Sequence, residues 1–279
     1  MSVLEAILQG VIQGLTEFLP ISSSGHLSLF QHFFGVSSEN NLFFVLMLHL
    51  GTLIAVFVAF YKDIIAIIIE LFKMIGDIFK GKFRYSECTE QRKMVIMIIL
   101  TGIPLLLLFF VKDFFANLAE DNDIIVEGVC FMFTGLMLYI ATRRSNGKKT
   151  AIDMKPKNAL ILGFLEGIAA LPGVSRSGST ISGAMIQGFS KEFAVAFSFI
   201  MGIPAILAAS VFEIPDAIKQ GISISPAALI AGILMSAVVG LIAIRLVRWL
   251  VKINRYSIFA YYTFALGVVV VIIGIIEKF

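Results

Sequence analysis

Six stretches of mostly apolar sequence, at 42–61, 94–111, 124–142, 193–212, 227–244 and 257–276, are each close to the length a helix needs to cross a bilayer. About 20 residues rising 1.5 Å each cover a hydrocarbon core of roughly 30 Å. Across the chain 58% of residues are apolar and 15% charged, against about 45–50% and about 25% in an average soluble domain. One soluble core cannot absorb that excess, so lipid must solvate much of the surface. Disorder, a nucleic-acid module and a disulfide-stapled secreted scaffold are excluded on the same grounds. Cys88 and Cys130 lack metal-ligand spacing and read as free thiols. The apolar N-terminus is not expected to be a signal peptide, because no Lys or Arg precedes Lys62 while Glu5 and Glu17 do.

Two further apolar regions are interrupted. Residues 3–19 lead into PISSSGH and then 27–34, and residues 159–171 lead into PGVSRSGST and then 181–189. Each piece is too short to span, and the Pro–Ser–Gly breaks free backbone groups that lipid cannot satisfy, so the breaks belong inside protein or beside a watery cavity. Two re-entrant helix–loop–helix units are the simplest reading. Residues 64–79, with Glu70, Lys73 and Asp77 interspersed, read as an interfacial amphipathic helix. Residues 62–93, 112–123, 143–157, 214–225 and 245–255 hold seven, one, six, one and four Lys or Arg. That alternates in, out, in, out, in under the positive-inside rule. The first broken unit then enters from the outer face, the second enters from the cytoplasm, and their tips can meet near the midplane.

The chain also repeats itself at an offset of 153. Gly10 and Gly14 align with Gly163 and Gly167, and Ser22, Ser24 and Gly25 align with Ser175, Ser177 and Gly178. Gly35, Ser37, Glu39 and Asp63 align with Gly188, Ser190, Glu192 and Asp216. Each half holds one broken unit and three spans, an odd number that inverts the second copy, as in many transporters. The expected fold is an all-α integral membrane protein with six transmembrane helices and two re-entrant units. It forms an inverted-topology repeat of 1–150, which includes the interfacial helix, and 151–279, in one membrane domain.

Ionisable groups at bilayer depth are functional candidates, and here they gather at the breaks. Gln13 and Glu17, spaced i, i+4, share a helix face; His26 follows SSSG, and Arg176 lies in SRSG. A Glu17–Arg176 packing pair would leave the surrounding hydroxyl and Gly positions without a role. Both Ser-rich segments precede a helix and suit capping. A helix N-terminus also offers free N–H groups to phosphate, glycines admit it closely, and an Arg grips it with a fork. Ser22, Ser24, Gly25, Ser175, Ser177 and Gly178 with Arg176 can thus cradle a diphosphate. Glu17 can share Mg²⁺ or Ca²⁺ with the phosphate oxygens. Ser23 is a candidate covalent nucleophile, and His26 a candidate acid, base or nucleophile; spacing leaves both open. His32 and His49 read as packing residues, Trp249 as an interfacial anchor, Glu127 and Glu213 as solvated, and the Met residues as packing or lipid-facing. Glu166, aligned with Gln13, joins the site as a minor candidate.

QGLTEFLPISSSGH at 13–26 and LPGVSRSGST at 171–180 resemble the two signature motifs of the bacitracin-resistance type undecaprenyl-diphosphate phosphatases. The length, the six spans and the repeat fit as well, so the resemblance covers essentially the whole chain. It implies a bacterial plasma-membrane enzyme that hydrolyses undecaprenyl diphosphate to the monophosphate and phosphate. That step supplies the lipid carrier for cell-wall polysaccharides and is opposed by bacitracin. It further implies a divalent cation and a site toward the outer face. Glu17 with Gln13 would serve the metal and diphosphate, and Ser23 and His26 would be the nucleophile and acid/base candidates. Ser175, Arg176, Ser177 and Thr180 would hold phosphate. The first position of the acidic pair is Gln13, so one carboxylate stands there. The alternative from architecture is a transporter or flippase for an anionic lipid or small anionic substrate. The expected partners are a polyprenyl diphosphate lipid and the membrane, with no nucleic acid, and a homodimer is compatible with this plan.

Overall fold

The computed structural model describes residues 1–34, 42–110, 124–144, 146–219 and 224–278, where helices are the regular elements apart from one bridge between Lys149 and Phe189. Helices α1 (Val3–Phe18), α2 (Ser23–Phe34), α3 (Leu42–Ala59), α4 (Tyr61–Phe79), α5 (Glu90–Phe109) and α6 (Ile125–Arg143) come first. They are followed by α7 (Pro156–Ile168), α8 (Arg176–Ile186), α9 (Lys191–Lys219), α10 (Pro226–Lys252) and α11 (Ile258–Glu277). Six of these, α3, α5, α6, α9, α10 and α11, are long and apolar enough to cross a bilayer, so the chain is a multi-pass membrane protein. Gly35, Ser37 and Glu39 of the repeat, and Lys112 of an expected outer segment, lie outside the described residues.

The spans fall on the six apolar stretches, but α9 and α10 outrun them at 29 and 27 residues. An apolar run stops at its first charges, whereas a helix continues through good helix formers. In α10 those are Arg245, Arg248 and Lys252, cations near a C-terminus that also complement the helix dipole. The two faces of α10 show how lipid and protein share one helix. Ile230, Leu234, Val238 and Ile242 form an exposed stripe at i, i+4 spacing. Gly232, Ser236 and Gly240 form a buried small-residue stripe on the other face. Gly10 and Gly14 of α1 meet that stripe. A Cβ at either would stand 2.6 Å from a carbonyl oxygen of α10, and Gly51 of α3 closes on Ser236 as tightly. Elsewhere in the bundle Gly163 of α7 packs on the Thr101 carbonyl of α5, where a Cβ would be 2.1 Å away.

Helix α4 turns off α3 at Phe60 and presents Ile65, Ile68, Phe72 and Phe79 outward along one side. Arg92, at the start of α5, ties it down by donating to Glu70 at 3.1 Å and Asp77 at 2.7 Å. The hydrogen bond from Lys73, ahead of that from Arg92, holds the Glu70 carboxyl below its ordinary range. Short helices α1 and α7 end inside the bundle, and their ends bring the two breaks together.

Candidate active site

The breaks between α1 and α2 and between α7 and α8 are built alike. Helix α1 starts on a capping box, Ser2 with Glu5, and ends at Leu19, which Pro20 holds in extended backbone at ψ 138°. Ser22 then takes a left-handed φ of 70°, unusual for a residue with a side chain. Its Oγ accepts from the Gly25 N–H at 3.3 Å and lies 3.3 Å from Ser24 Oγ. In the second break Gly173 supplies the left-handed turn at φ 91°. Ser175 Oγ accepts from the Gly178 N–H at 3.0 Å and lies 3.3 Å from Ser177 Oγ. The hydrogen-bonded residues are those aligned by the offset of 153, whereas the left-handed residues Ser22 and Gly173 are not.

The breaks also touch. A Cβ at Gly25 would stand 2.8 Å from Gly173 Cα, and one at Gly178 would stand 3.2 Å from the Pro20 carbonyl oxygen. Ser177 donates to the Leu19 carbonyl at 3.3 Å. Thr134 of α6 fastens the second break, donating to the Gly173 carbonyl at 3.2 Å and accepting from the Ser175 N–H at 3.0 Å.

Glu17, in the last turn of α1, stands where the breaks meet. Its Oε1 accepts from Arg176 Nη2. Its Oε2 accepts from Ser23 Oγ at 2.7 Å and from Gln13 Nε2 at 3.0 Å. Arg176 also donates from Nη1 to the Ser198 carbonyl at 3.4 Å. Gly202 makes the room for that guanidinium, since a Cβ there would fall 1.9 Å from Nη1. These groups lie at one end of a cavity of ≈ 700 Å³. Glu17, Ser23, Ser24, Ser175 and Arg176 line its polar end, and Leu46, Ile98, Leu105, Ala205 and Ala209 line its apolar walls. The cavity runs along the first turns of α3 and the later turns of α5 and α9, reaching Leu42, Phe212 and Glu213.

The expected site residues therefore divide. Glu17, Ser23, Ser24, Ser175 and Arg176 face the cavity, and Gln13 reaches it through Glu17. Ser22, Gly25, Ser177 and Gly178 hold the breaks together as described. Thr180 packs behind them, its Oγ1 2.6 Å from Ser198 Oγ. His26 is directed elsewhere. Its Nδ1–H donates to the Ser22 carbonyl at 2.7 Å, so Nε2 accepts from the Tyr262 hydroxyl of α11 at 2.8 Å.

Four residues depart from their sequence reading. His49 is no mere packing residue: it lines the cavity, with Nε2 3.7 Å from Glu17 Oε2. Glu127 is buried, not solvated, because α2 covers it and Ser28 donates to its carboxylate at 2.8 Å. Glu213 lines the cavity and is half-buried. His32 is partly exposed, 3.0 Å from Glu277 of α11. Periodicity tells which residues share a helix face but not which other helix that face meets. Ser198, Gly202, Thr134 and Tyr262 went unnoticed for the same reason: each lies on a distant span with no local motif. Glu166, the minor candidate, does line the cavity.

A divalent cation is testable against the donors present. No group of three or more His, Cys, Asp or Glu suited to a metal occurs among the described residues, so the chain does not form a closed metal cage. Yet Glu17 offers a buried carboxylate, and Gln13 Oε1 beside it is buried with no hydrogen-bond partner among the described residues. One or two oxygen ligands completed by water and substrate phosphate are how Mg²⁺ is commonly bound, and the residues fit that pattern.

The chain is similar to known proteins over its whole length. Residues 6–269 match the family described as bacitracin resistance protein BacA. An undecaprenyl-diphosphatase of Alkaliphilus metalliredigens is 41% identical over 99% of this chain and 100% of that protein. Undecaprenyl-diphosphatases of Halothermothrix orenii and Methanosphaera stadtmanae are each 36% identical, over 98% and 99% of this chain and 99% of each relative.

Proposed function

The chain belongs to the bacitracin resistance protein BacA family, and we propose that the cavity at its two breaks is where it works. It is an enzyme of the membrane, and it dephosphorylates undecaprenyl diphosphate to undecaprenyl phosphate and phosphate. That reaction fits cell-wall synthesis and bacitracin resistance. One observation carries the location: Glu17 from the first break and Arg176 from the second are joined in a cavity whose walls beyond them are mostly apolar. A diphosphate on a long hydrocarbon tail has the same division.

The diphosphate sits between the N-termini of α2 and α8, where the first-turn amides other than those of Gly25 and Gly178, which Ser22 and Ser175 cap, have no intrahelical acceptor, and Arg176 grips its oxygens. Ser24 and Ser175 add hydroxyl donors, and Ser177, Gly178 and Thr180 keep the second N-terminus in place. Ser23 Oγ attacks the terminal phosphorus while its proton passes to Glu17 Oε2, the oxygen it already donates to at 2.7 Å. The anhydride P–O bond breaks, and undecaprenyl phosphate leaves with that electron pair. The proton held on Glu17 passes to the departing undecaprenyl phosphate, which restores the carboxylate. Water then attacks the phosphorus on Ser23 while Glu17 takes its proton, and the Ser23–P bond breaks with that proton returned to Ser23 Oγ and phosphate released. A cation held by Glu17 and Gln13 Oε1, Mg²⁺ or Ca²⁺, would neutralise diphosphate charge. His26 acts from outside the cavity, bracing the carbonyl of the left-handed Ser22.

Around this site we read residues 1–150 and 151–279 as inverted repeats with two re-entrant units. The two breaks share their hydrogen bonds, and α1 packs on α10 as α7 packs on α5, the same pairing with the halves exchanged. Helix α4 lies in the membrane interface. With the Lys- and Arg-rich segments inside, the cavity lies along the outer ends of α3, α5 and α9, which supports a site toward the outer face of the plasma membrane.

Purified protein in proteoliposomes tests this reading. Phosphate should be released from undecaprenyl diphosphate with Mg²⁺ or Ca²⁺ present, stop on chelation, and resume when the cation returns. Movement of the intact diphosphate lipid between leaflets without phosphate release would favour a transporter instead.

A further inference from the structure

We propose that His49 is a ligand of the divalent cation at this site, through Nε2. The inference rests on the assignment of that cation to Glu17 and Gln13, and it adds a nitrogen donor from a helix outside both motifs.

The hydrogen bonding of the imidazole carries the argument. His49 Nδ1 lies 2.9 Å from the Val45 carbonyl oxygen. A carbonyl only accepts, so Nδ1 carries a proton and Nε2 is the ring nitrogen left to meet a cation in the cavity. A His that gives its other N–H to a backbone carbonyl is the usual arrangement of a metal ligand. Nε2 faces Glu17 Oε2 at 3.7 Å, beyond the roughly 3.2 Å limit of a good N–H···O bond. Oε2 already accepts from Ser23 and Gln13. Nε2 and Oε2 face one another across a gap that one cation touching both would fill. Gln13 Oε1, buried and without a hydrogen bond among the described residues, supplies a third donor from the same helix face. The consequence concerns metal choice. Carboxylate and carbonyl oxygens alone suit Mg²⁺ and Ca²⁺, whereas an imidazole nitrogen raises the affinity for transition ions. This chain should therefore prefer Mn²⁺ to Ca²⁺.

Mn²⁺ bound to the purified full-length protein reports its own ligands by pulsed electron paramagnetic resonance. Wild-type protein should show coupling to ¹⁴N that changes to ¹⁵N when the protein is made with ¹⁵N-imidazole histidine; this needs no substitution. The chain has 3 His, so the variants assign the signal. His49→Gln should still bind Mn²⁺ but lose the coupling, and its preference for Mn²⁺ over Ca²⁺ should fall on the order of tenfold. His32→Gln should keep both. Absence of histidine coupling in wild-type protein, or its persistence in His49→Gln, overturns the assignment of His49. Mn²⁺ binding that survives Glu17→Gln undiminished overturns the cation site itself, and the His49 assignment with it. Binding lost in Glu17→Gln beside coupling unchanged in His49→Gln overturns His49 alone.

Discussion

Ser23, Glu17 and Arg176 form one connected set, with Ser23 on Oε2 and Arg176 on Oε1 of the same carboxylate. Ser23→Ala should leave Tm near that of wild type and abolish both turnover and the covalent phosphate trapped by rapid acid quench of labelled substrate. His26→Gln should slow turnover yet still trap phosphate on Ser23; label found on His26 in wild-type protein would reverse the two roles. Arg176→Lys keeps the charge but loses the fork, and a preorganised donor of this kind is worth about 10²–10³ in kcat. The motifs carried this much in the open: Gln13, Glu17, Ser23, Ser175 and Arg176 were legible as a set. His49 was not. Its significance depends on a helix face of α3 turning toward α1, and neither apolar periodicity nor spacing encodes which faces meet.

At the scale of elements, small residues decide how close the helices come. Gly14 of α1 has no room for a Cβ against the Ser236 carbonyl oxygen, 2.6 Å away. Backbone meets backbone there, so Gly14→Val should force α1 off α10 and lower Tm by several degrees, on the scale of about 1–3 kcal/mol for overpacking. Gly202→Ala presents a different case on α9. The three atoms nearest its new methyl all belong to the guanidinium of Arg176, the flexible end of a side chain. We expect Tm to hold while kcat falls at least about tenfold, because displacing a positioned group by about 1 Å is costly to catalysis. Thermal unfolding and turnover measured on both variants separate the two kinds of glycine. The apolar runs located all six spans; the lengths of α9 and α10 were not legible, because helix propensity continues past the last apolar residue.

For the molecule as a whole, the topology and the chemistry make separate demands. In a background with Cys88 and Cys130 replaced, Ala227→Cys should react with an impermeant maleimide from outside intact cells. Lys252→Cys, at the other end of α10, should react only after permeabilisation, and the reverse pattern would invert the orientation drawn here. The matches at an offset of 153 stand in the sequence, but the contact between the breaks does not: Gly25 against Gly173 and Ser177 against Leu19 join residues far apart in sequence. That contact places Glu17 and Arg176 in one site, and their joint action is the central claim. The most direct test is kcat for phosphate release from undecaprenyl diphosphate by wild-type protein, Glu17→Ala and Arg176→Ala, each checked for a monodisperse, helical state. We predict that either substitution lowers kcat at least about 100-fold, and that the two together cost little more than one, as for groups that act as a unit. Folded single variants that release phosphate at the wild-type rate would contradict the account.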